Sequence, residues 1–269
     1  SIQSRIMKTN SFRFPYLWLS GVLLLGLFFL PLCSKDPKLD DNGSITPPVD
    51  LTVYAEISHN GFTIKILDYL KNTPDARRAL DLIKDNIDTM AAILPDTFYR
   101  AMQKNPVWVE KDICPKGAAW YHISRDWLLQ NNMNPDKAKS VEICNYVNYV
   151  EWTELHQPFM LLHELCHQYH DMSLTFDHPG IIEAFEHAKA TGLYKNTQYH
   201  HGNGIYSTVA QAYALTNHHE YFAELSEAFW GENDYFPFNR QELKEYDPMG
   251  YHVLEKIWTL DGQLILNSY

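Results

Sequence analysis

The feature that most constrains this chain is the run FMLLHELCHQYHD at residues 159–171. Phe159, Leu162, Cys166 and Tyr169 recur at helical spacing and no Gly or Pro intervenes, so the run is expected to be a helix, approached through Glu154 and Pro158. Residues four apart share a helix face, which lets His163 and His167 direct an imidazole nitrogen at one cation. Glu164, about 100° further round the helix, does not reach the same coordination position. It can reach a water beside the cation, which is the place of a general base. A catalytic zinc takes three protein ligands, so a second segment has to bring the third to this helix.

The chain can build such a packing: it has 269 residues, 45% of them hydrophobic and 14% aromatic, enough for one substantial domain or two small ones. A net charge of −11 argues against a nucleic-acid surface and leaves a small molecule, peptide or protein as partner. No internal repeat is evident.

Translation is expected to begin at Met7. In residues 7–33, Lys8 and Arg13 precede an apolar run at 16–32, the pattern of a bacterial secretory signal. The run is near the length of a membrane span, so an uncleaved anchor and a cleaved, soluble secreted form stay open beside a third reading. In that reading Cys33, followed by Ser34, Lys35 and Asp36 and with Leu30 three positions before, resembles the lipidation site of a bacterial lipoprotein. Leu32 departs from the small residue usual there. The protein is thus expected to be exported, in the cell envelope or secreted, with any membrane contact made by the N-terminal lipid or anchor. Residues 34–50 are polar and rich in Pro, Gly and Asp, an unstructured tether.

A folded domain is expected over residues 51–264. Short apolar runs at 51–57 and 62–66 flank His59-Asn60-Gly61, a hairpin signal. Thr73 and Pro74 open a helix that Pro95 stops. Strands are expected at 106–109 and 119–123, and a helix at 124–130. A further strand at 140–146 is expected just before the motif helix, as the edge that pairs with a substrate backbone in zinc peptidases by analogy. In an exported chain Cys114 and Cys144 are the candidates for a disulfide, with Cys166 a small buried hydrophobe inside the helix.

For the third ligand, the pattern H-E-x-x-H-x-x-G-x-x-H would require Gly at 170 and His at 173, where this chain has His170 and Ser173. The other route is a glutamate from a second helix. Residues 217–231, NHHEYFAELSEAFWG, have an N-cap in Asn217, an apolar side in Phe222, Ala223, Leu225, Ala228 and Phe229, and a stop at Gly231. Glu220 and Glu224 share a face of this helix. Two carboxylates on an otherwise apolar helix resist burial, and a cation between them and the histidines accounts for both. Glu220 is then the ligand and Glu224 the acceptor for the far nitrogen of a metal-bound histidine. The alternative is a solvated acidic face.

The sequence YALTNHHEYFAE at 213–224, taken with HELCH, resembles the catalytic domain of anthrax lethal factor and its relatives, zinc peptidases of the gluzincin type. The resemblance covers about residues 159–231; Tyr221 stands where that family has Phe. It implies an α+β, zincin-like fold with a small N-terminal sheet, and one Zn2+ held by His163, His167 and Glu220. It further implies Glu164 as base, Tyr213 as the group that steadies the oxyanion, and hydrolysis of a peptide or protein substrate. A non-catalytic surface-binding module and a hydrolase of a non-peptide amide are the competing readings. His200, His201 and residues 202–204 are expected to be a mobile loop, His170 a neighbour at the rim of the site, and residues 236–258 two short helices broken near Pro248.

Overall fold

The structure, a computed structural model, describes residues 52–259. The expected signal, the lipidation residue Cys33, the tether and the outer ends of the 51–264 domain lie outside the described residues. Strands β1 (Tyr54–His59) and β2 (Phe62–Leu67) pair antiparallel with His59 opposite Phe62. Their turn residues Asn60 and Gly61 both take positive φ, 43° and 85°, as a two-residue hairpin of this hand requires. Phe62, Ile64 and Ile66 alternate into the core. Helix α1 (Pro74–Ile93) begins as expected, with the Thr73 hydroxyl accepting from the Ala76 N–H and Pro74 in the first turn, and it buries Ala79, Leu80, Ile83, Ile87 and Met90. Helix α2 (Asp96–Met102), too short for a period to show in the sequence, turns Phe98, Tyr99 and Met102 inward.

The chain returns through β3 (Val107–Val109), β4 (Trp120–Tyr121), α3 (Arg125–Gln130, capped by Ser124) and β5 (Val141–Ile143). The sheet has five strands in the order β1-β2-β3-β5-β4, with β2, β3 and β5 parallel and β4 antiparallel on β5. This corrects the expectation for 140–146. Val141, Glu142 and Ile143 are fully buried, so β5 is interior, and the edge is β4. Nor does β5 lead directly into the motif helix. Helix α4 (Tyr146–Leu155) intervenes, with the Asn145 side chain accepting from the Val147 and Asn148 N–H groups and with Tyr146, Tyr149, Val150 and Thr153 inward at helical spacing. Cys114 and Cys144 are disulfide-bonded, their Cα atoms 5.4 Å apart, tying the loop after β3 to the end of β5.

The face of the sheet away from the helices carries Lys65, Trp108 and Glu142 in register. It is closed by Lys137, whose Nζ donates to Glu110 Oε1 at 2.5 Å and Glu142 Oε1 at 2.6 Å. Tyr54 also donates to Glu110, and the Trp120 indole donates to Glu142 at 2.7 Å. The three charged groups are each 4% exposed or less. Lys137→Met would leave two buried carboxylates without their cation, and the expected destabilisation is about 3–5 kcal/mol. A urea titration of wild type and variant reads it; a midpoint unchanged at equal slope would refute the assignment.

The second half is mainly helical. The motif helix α5 (Met160–Tyr169) runs into a π-helical turn at His170–Leu174 and is followed by α6 (Pro179–Thr191). Strands β6 (Lys195–His200) and β7 (Tyr206–Gln211) form an antiparallel hairpin, so of the expected loop at 200–204 His200 ends β6 and pairs with Tyr206, and the rest lies in the turn. Then come α7 (His218–Trp230), α8 (Arg240–Tyr246) and α9 (Pro248–Trp258). The break before Pro248 is organised by buried Asp247, which accepts from the Gly250 N–H at 2.9 Å and from the Tyr194 and Tyr221 hydroxyls at 2.8 and 2.5 Å. Trp258 joins the layers, its ring 4.9 Å from Tyr169 of α5 and 5.4 Å from Phe222 of α7. At the end of α7 any side chain on Gly231 would overlap the ring of Phe159, so glycine is what lets the two helices approach there. Among the described residues no helix is long and apolar enough to cross a membrane.

Candidate metal centre

Helices α5 and α7 pack together and bring three side-chain atoms to one point. His163 Nε2 and His167 Nε2 are 3.1 Å apart, and Glu220 Oε2 lies 3.1 Å from the first and 3.0 Å from the second. Four bonds of about 2.0–2.1 Å in a tetrahedral site separate neighbouring ligand atoms by about 3.3–3.4 Å. The triangle is within a few tenths of an ångström of that, and two imidazoles with one carboxylate are a sound donor set for a divalent metal. These residues can therefore hold a metal ion. A second grouping, His163 with Glu224 and Glu227, is close enough to do so as well. It uses the other nitrogen of His163 and brings no second imidazole.

Local structure explains the placement of Glu220. The Asn217 side chain accepts from the N–H groups of His219 and Glu220, at 2.8 and 3.0 Å, and starts α7 so that the carboxylate stands in its first turn, where the helix dipole favours negative charge. Burial works against that charge, but hydrogen bonds from His163 and His167 outweigh it and hold the Glu220 carboxyl well below the usual range. For His163, burial opposes protonation, and the contacts with Glu220 and Glu227 override it, raising its pKa well above the ordinary value.

The orienting carboxylate is not the expected one. His163 Nδ1 is 2.6 Å from Glu227 Oε1 and 3.9 Å from Glu224 Oε1, so Glu227 accepts the hydrogen bond and Glu224 is out of reach. Glu227 is seven residues beyond Glu220, nearly two full turns, and so remains on the same stripe of α7. The signal was in the sequence as a third carboxylate at helical spacing. We expect Glu227→Gln to weaken metal binding by about 10–100-fold, the usual effect of losing such a partner, and Glu224→Gln to leave it within about threefold. Competition titration with a chromogenic chelator distinguishes the two, and the reverse order would restore Glu224 to the role.

Glu164 projects beside the cluster and makes no hydrogen bond among the described residues. Burial raises its pKa above the usual carboxylate value. Tyr213 stands on a short 3₁₀ turn, Tyr213–Leu215, with its ring 6.4 Å from that of His163. Tyr213 is 46% exposed, and partial desolvation followed by the nearby Glu220 charge raises its pKa to about 12, so it holds its proton at neutral pH. Glu164 and Tyr213 line two cavities at the cluster, of about 360 and 320 Å³, with His163 and Ala119 in both walls and His167, Glu220, Trp120 and Tyr121 in the second. A larger cavity of about 510 Å³ lies between α1 and α4 and contains none of these groups. The smaller pair holds the reactive groups that chemistry needs, which volume alone does not supply.

The edge strand is anchored over the cluster. Tyr121 donates to Asp171 at 2.7 Å, and Lys139 pairs with Asp171 at 2.5 Å. Ala118 and His122 bond through their backbones to Asn145 and Ser140. By strand alternation the main-chain groups of Ala119 and Tyr121 then face outward along the free edge.

Two other expectations resolve differently from each other. Cys166 is fully buried, with its thiol pushed up to about 12 by burial, and acts as the small hydrophobe expected. His170 is also fully buried, not at a rim. It lies among Phe176, His219 and Phe222, neither ring nitrogen has a partner among the described residues, and burial followed by the neighbouring His219 and His218 lowers its pKa to about 2. The π-helical turn that starts at His170 carries its ring inward between α5 and α7. No family model matches the sequence, no curated protein matches it, and no solved structure matches the chain.

Proposed function

We propose that this protein is a zinc-dependent peptidase with a zincin-like fold, hydrolysing peptide bonds in a peptide or protein substrate. The observation that carries the reading is the convergence of His163 Nε2, His167 Nε2 and Glu220 Oε2 to mutual separations of 3.0–3.1 Å beside a free carboxylate. Two imidazoles and one carboxylate suit zinc, which when bound polarises a carbonyl and acidifies water. The residues of the chain supply the rest. The outward main-chain groups of Ala119 and Tyr121 accept an extended substrate as a further strand, directing its scissile bond to the space between the two cavities. Glu164 takes a proton from the attacking water as the oxygen adds to the carbonyl carbon, and passes it to the amine nitrogen as the C–N bond breaks. Tyr213, protonated at neutral pH, donates a hydrogen bond to the carbonyl oxygen as it gains negative charge. Glu227 holds the His163 ring in place through Nδ1.

The same proposal places the protein outside the cytoplasm of a bacterium, tethered by lipid on Cys33. The disulfide between Cys114 and Cys144 supports an oxidising compartment. The test is metal analysis of the purified protein together with cleavage of a diverse peptide library, with and without a chelator. One zinc per chain and chelator-sensitive cleavage are expected; a library left intact by the zinc-loaded protein would overturn the reading.

A further inference from the structure

Glu224 has no task in the chemistry proposed above. It is 3% exposed, and its Oε2 accepts one hydrogen bond, from Asn233 Nδ2 at 3.3 Å. Its Oε1 lies 3.9 Å from His163 Nδ1, whose bond goes to Glu227, and has no hydrogen bond among the described residues. The carboxyl lines the cavity of about 360 Å³ whose wall also holds His163, Glu164 and Tyr213, so this cavity opens directly on the reacting centre. Its surroundings add negative charge. Asp234 is 2% exposed, accepting from Gln157 at 2.7 Å, and Glu227 is 4% exposed. The basic residue of the wall, Lys116, is exposed to solvent. On Glu224 a carboxylate is buried beside two others, Asp234 and Glu227, at a cost in desolvation and repulsion. A glutamine or an apolar residue would sit there with less penalty. Oε1, with His163 Nδ1 3.9 Å away and no hydrogen bond among the described residues, is left able to accept from a group that enters the cavity.

We infer that this cavity is the subsite for a substrate lysine or arginine side chain flanking the scissile bond, its cationic head accepted by Oε1 of Glu224. The inference rests on the peptidase reading. Trp152 and Met160 supply apolar wall for the aliphatic stem, while the buried carboxylate takes the head. A neutral side chain of the same length would leave the carboxylate buried without a partner, which is how a pocket rejects an isostere.

The experiment uses zinc-loaded protein and two probes, Nα-acetyl-lysine hydroxamate and its norleucine counterpart, with affinities read by calorimetry. The lysine compound is expected to bind about 30-fold more tightly, the range of a hydrogen bond to a charged group, and Glu224→Gln to bring the ratio close to one. Equal binding of the two by wild type, or binding of neither, overturns the subsite. In parallel, peptides differing only at the residue beside the scissile bond should show the same order in kcat/KM. Cleavage without preference for Lys or Arg overturns the subsite and leaves the peptidase reading standing. Discrimination between the hydroxamates with no peptide cleaved overturns the peptidase reading and leaves a cation-binding cavity. Cleavage confined to substrates with a free α-amine overturns the side-chain assignment. A further readout separates function from fold: in metal-free protein Glu224→Met, which has no strong acceptor for Asn233, should raise the unfolding midpoint, whereas a carboxylate kept for its bond with Asn233 would lower it.

Discussion

Glu164→Gln is expected to keep its metal and lose turnover, with kcat falling by about 10²–10⁴-fold, the range for removing a positioned general base. The substitution keeps the shape and removes only the proton-accepting charge. Glu164 ligates nothing in the triangle of His163, His167 and Glu220, so metal content should remain that of wild type. Its carboxylate makes no hydrogen bond among the described residues and lines both cavities, so the substitution removes the base without breaking another contact. Metal analysis and single-turnover kinetics on the same preparation give the answer. A variant with activity within tenfold of wild type would remove Glu164 from the mechanism as its general base.

Glu220→Ala is expected to lose both the metal and the activity, with a loss of affinity well beyond the 10–100-fold typical of an orienting partner. Glu220 Oε2 lies within 3.1 Å of both imidazole nitrogens and is the acidic member of the cluster. Without it two histidines on one helix face are left to hold the ion. The variant should still fold, because α7 keeps its Asn217 cap and the buried residues Phe222, Leu225 and Phe229. Circular dichroism establishes that, and equilibrium dialysis against zinc measures the affinity. Normal zinc binding by this variant would show the third ligand to be misassigned. The second grouping, through Glu224 and Glu227 on the opposite nitrogen of His163, would then be the one to pursue.

Much of this arrangement is readable from local rules. Thr73, Ser124, Asn145 and Asn217 each cap the helix they precede, and Asn60-Gly61 makes the expected hairpin turn. These features depend on contacts within a few residues, which the chain carries wherever it folds. Helix α4 shows where the local signal weakens. Its buried positions Tyr146, Tyr149, Val150 and Thr153 have helical spacing, yet the segment follows directly on β5, and a short apolar run reads equally as the end of a strand. Strands β6 and β7 are harder still, since each alternates only partly and many of their residues are exposed, leaving little period to read.

The residues that converge on the candidate centre can be read from their order along the chain. The spacing of His163, Glu164 and His167 on one helix, and of Glu220 at the start of another, is a property of chain order and helical pitch. Which groups serve them was decided by the tertiary structure. On α7, Glu224 and Glu227 lie about 40° and about 20° from Glu220 in azimuth, so periodicity offers both, and only the packing of α5 across that stripe puts His163 Nδ1 against Glu227. The edge beside the site is β4 and not β5 because strand order is set by long-range pairing that no local pattern encodes. His170 is buried because a π-helical turn carries it inward after α5 ends. In each case the local rule offers several equivalent positions, and a neighbour distant in sequence selects one.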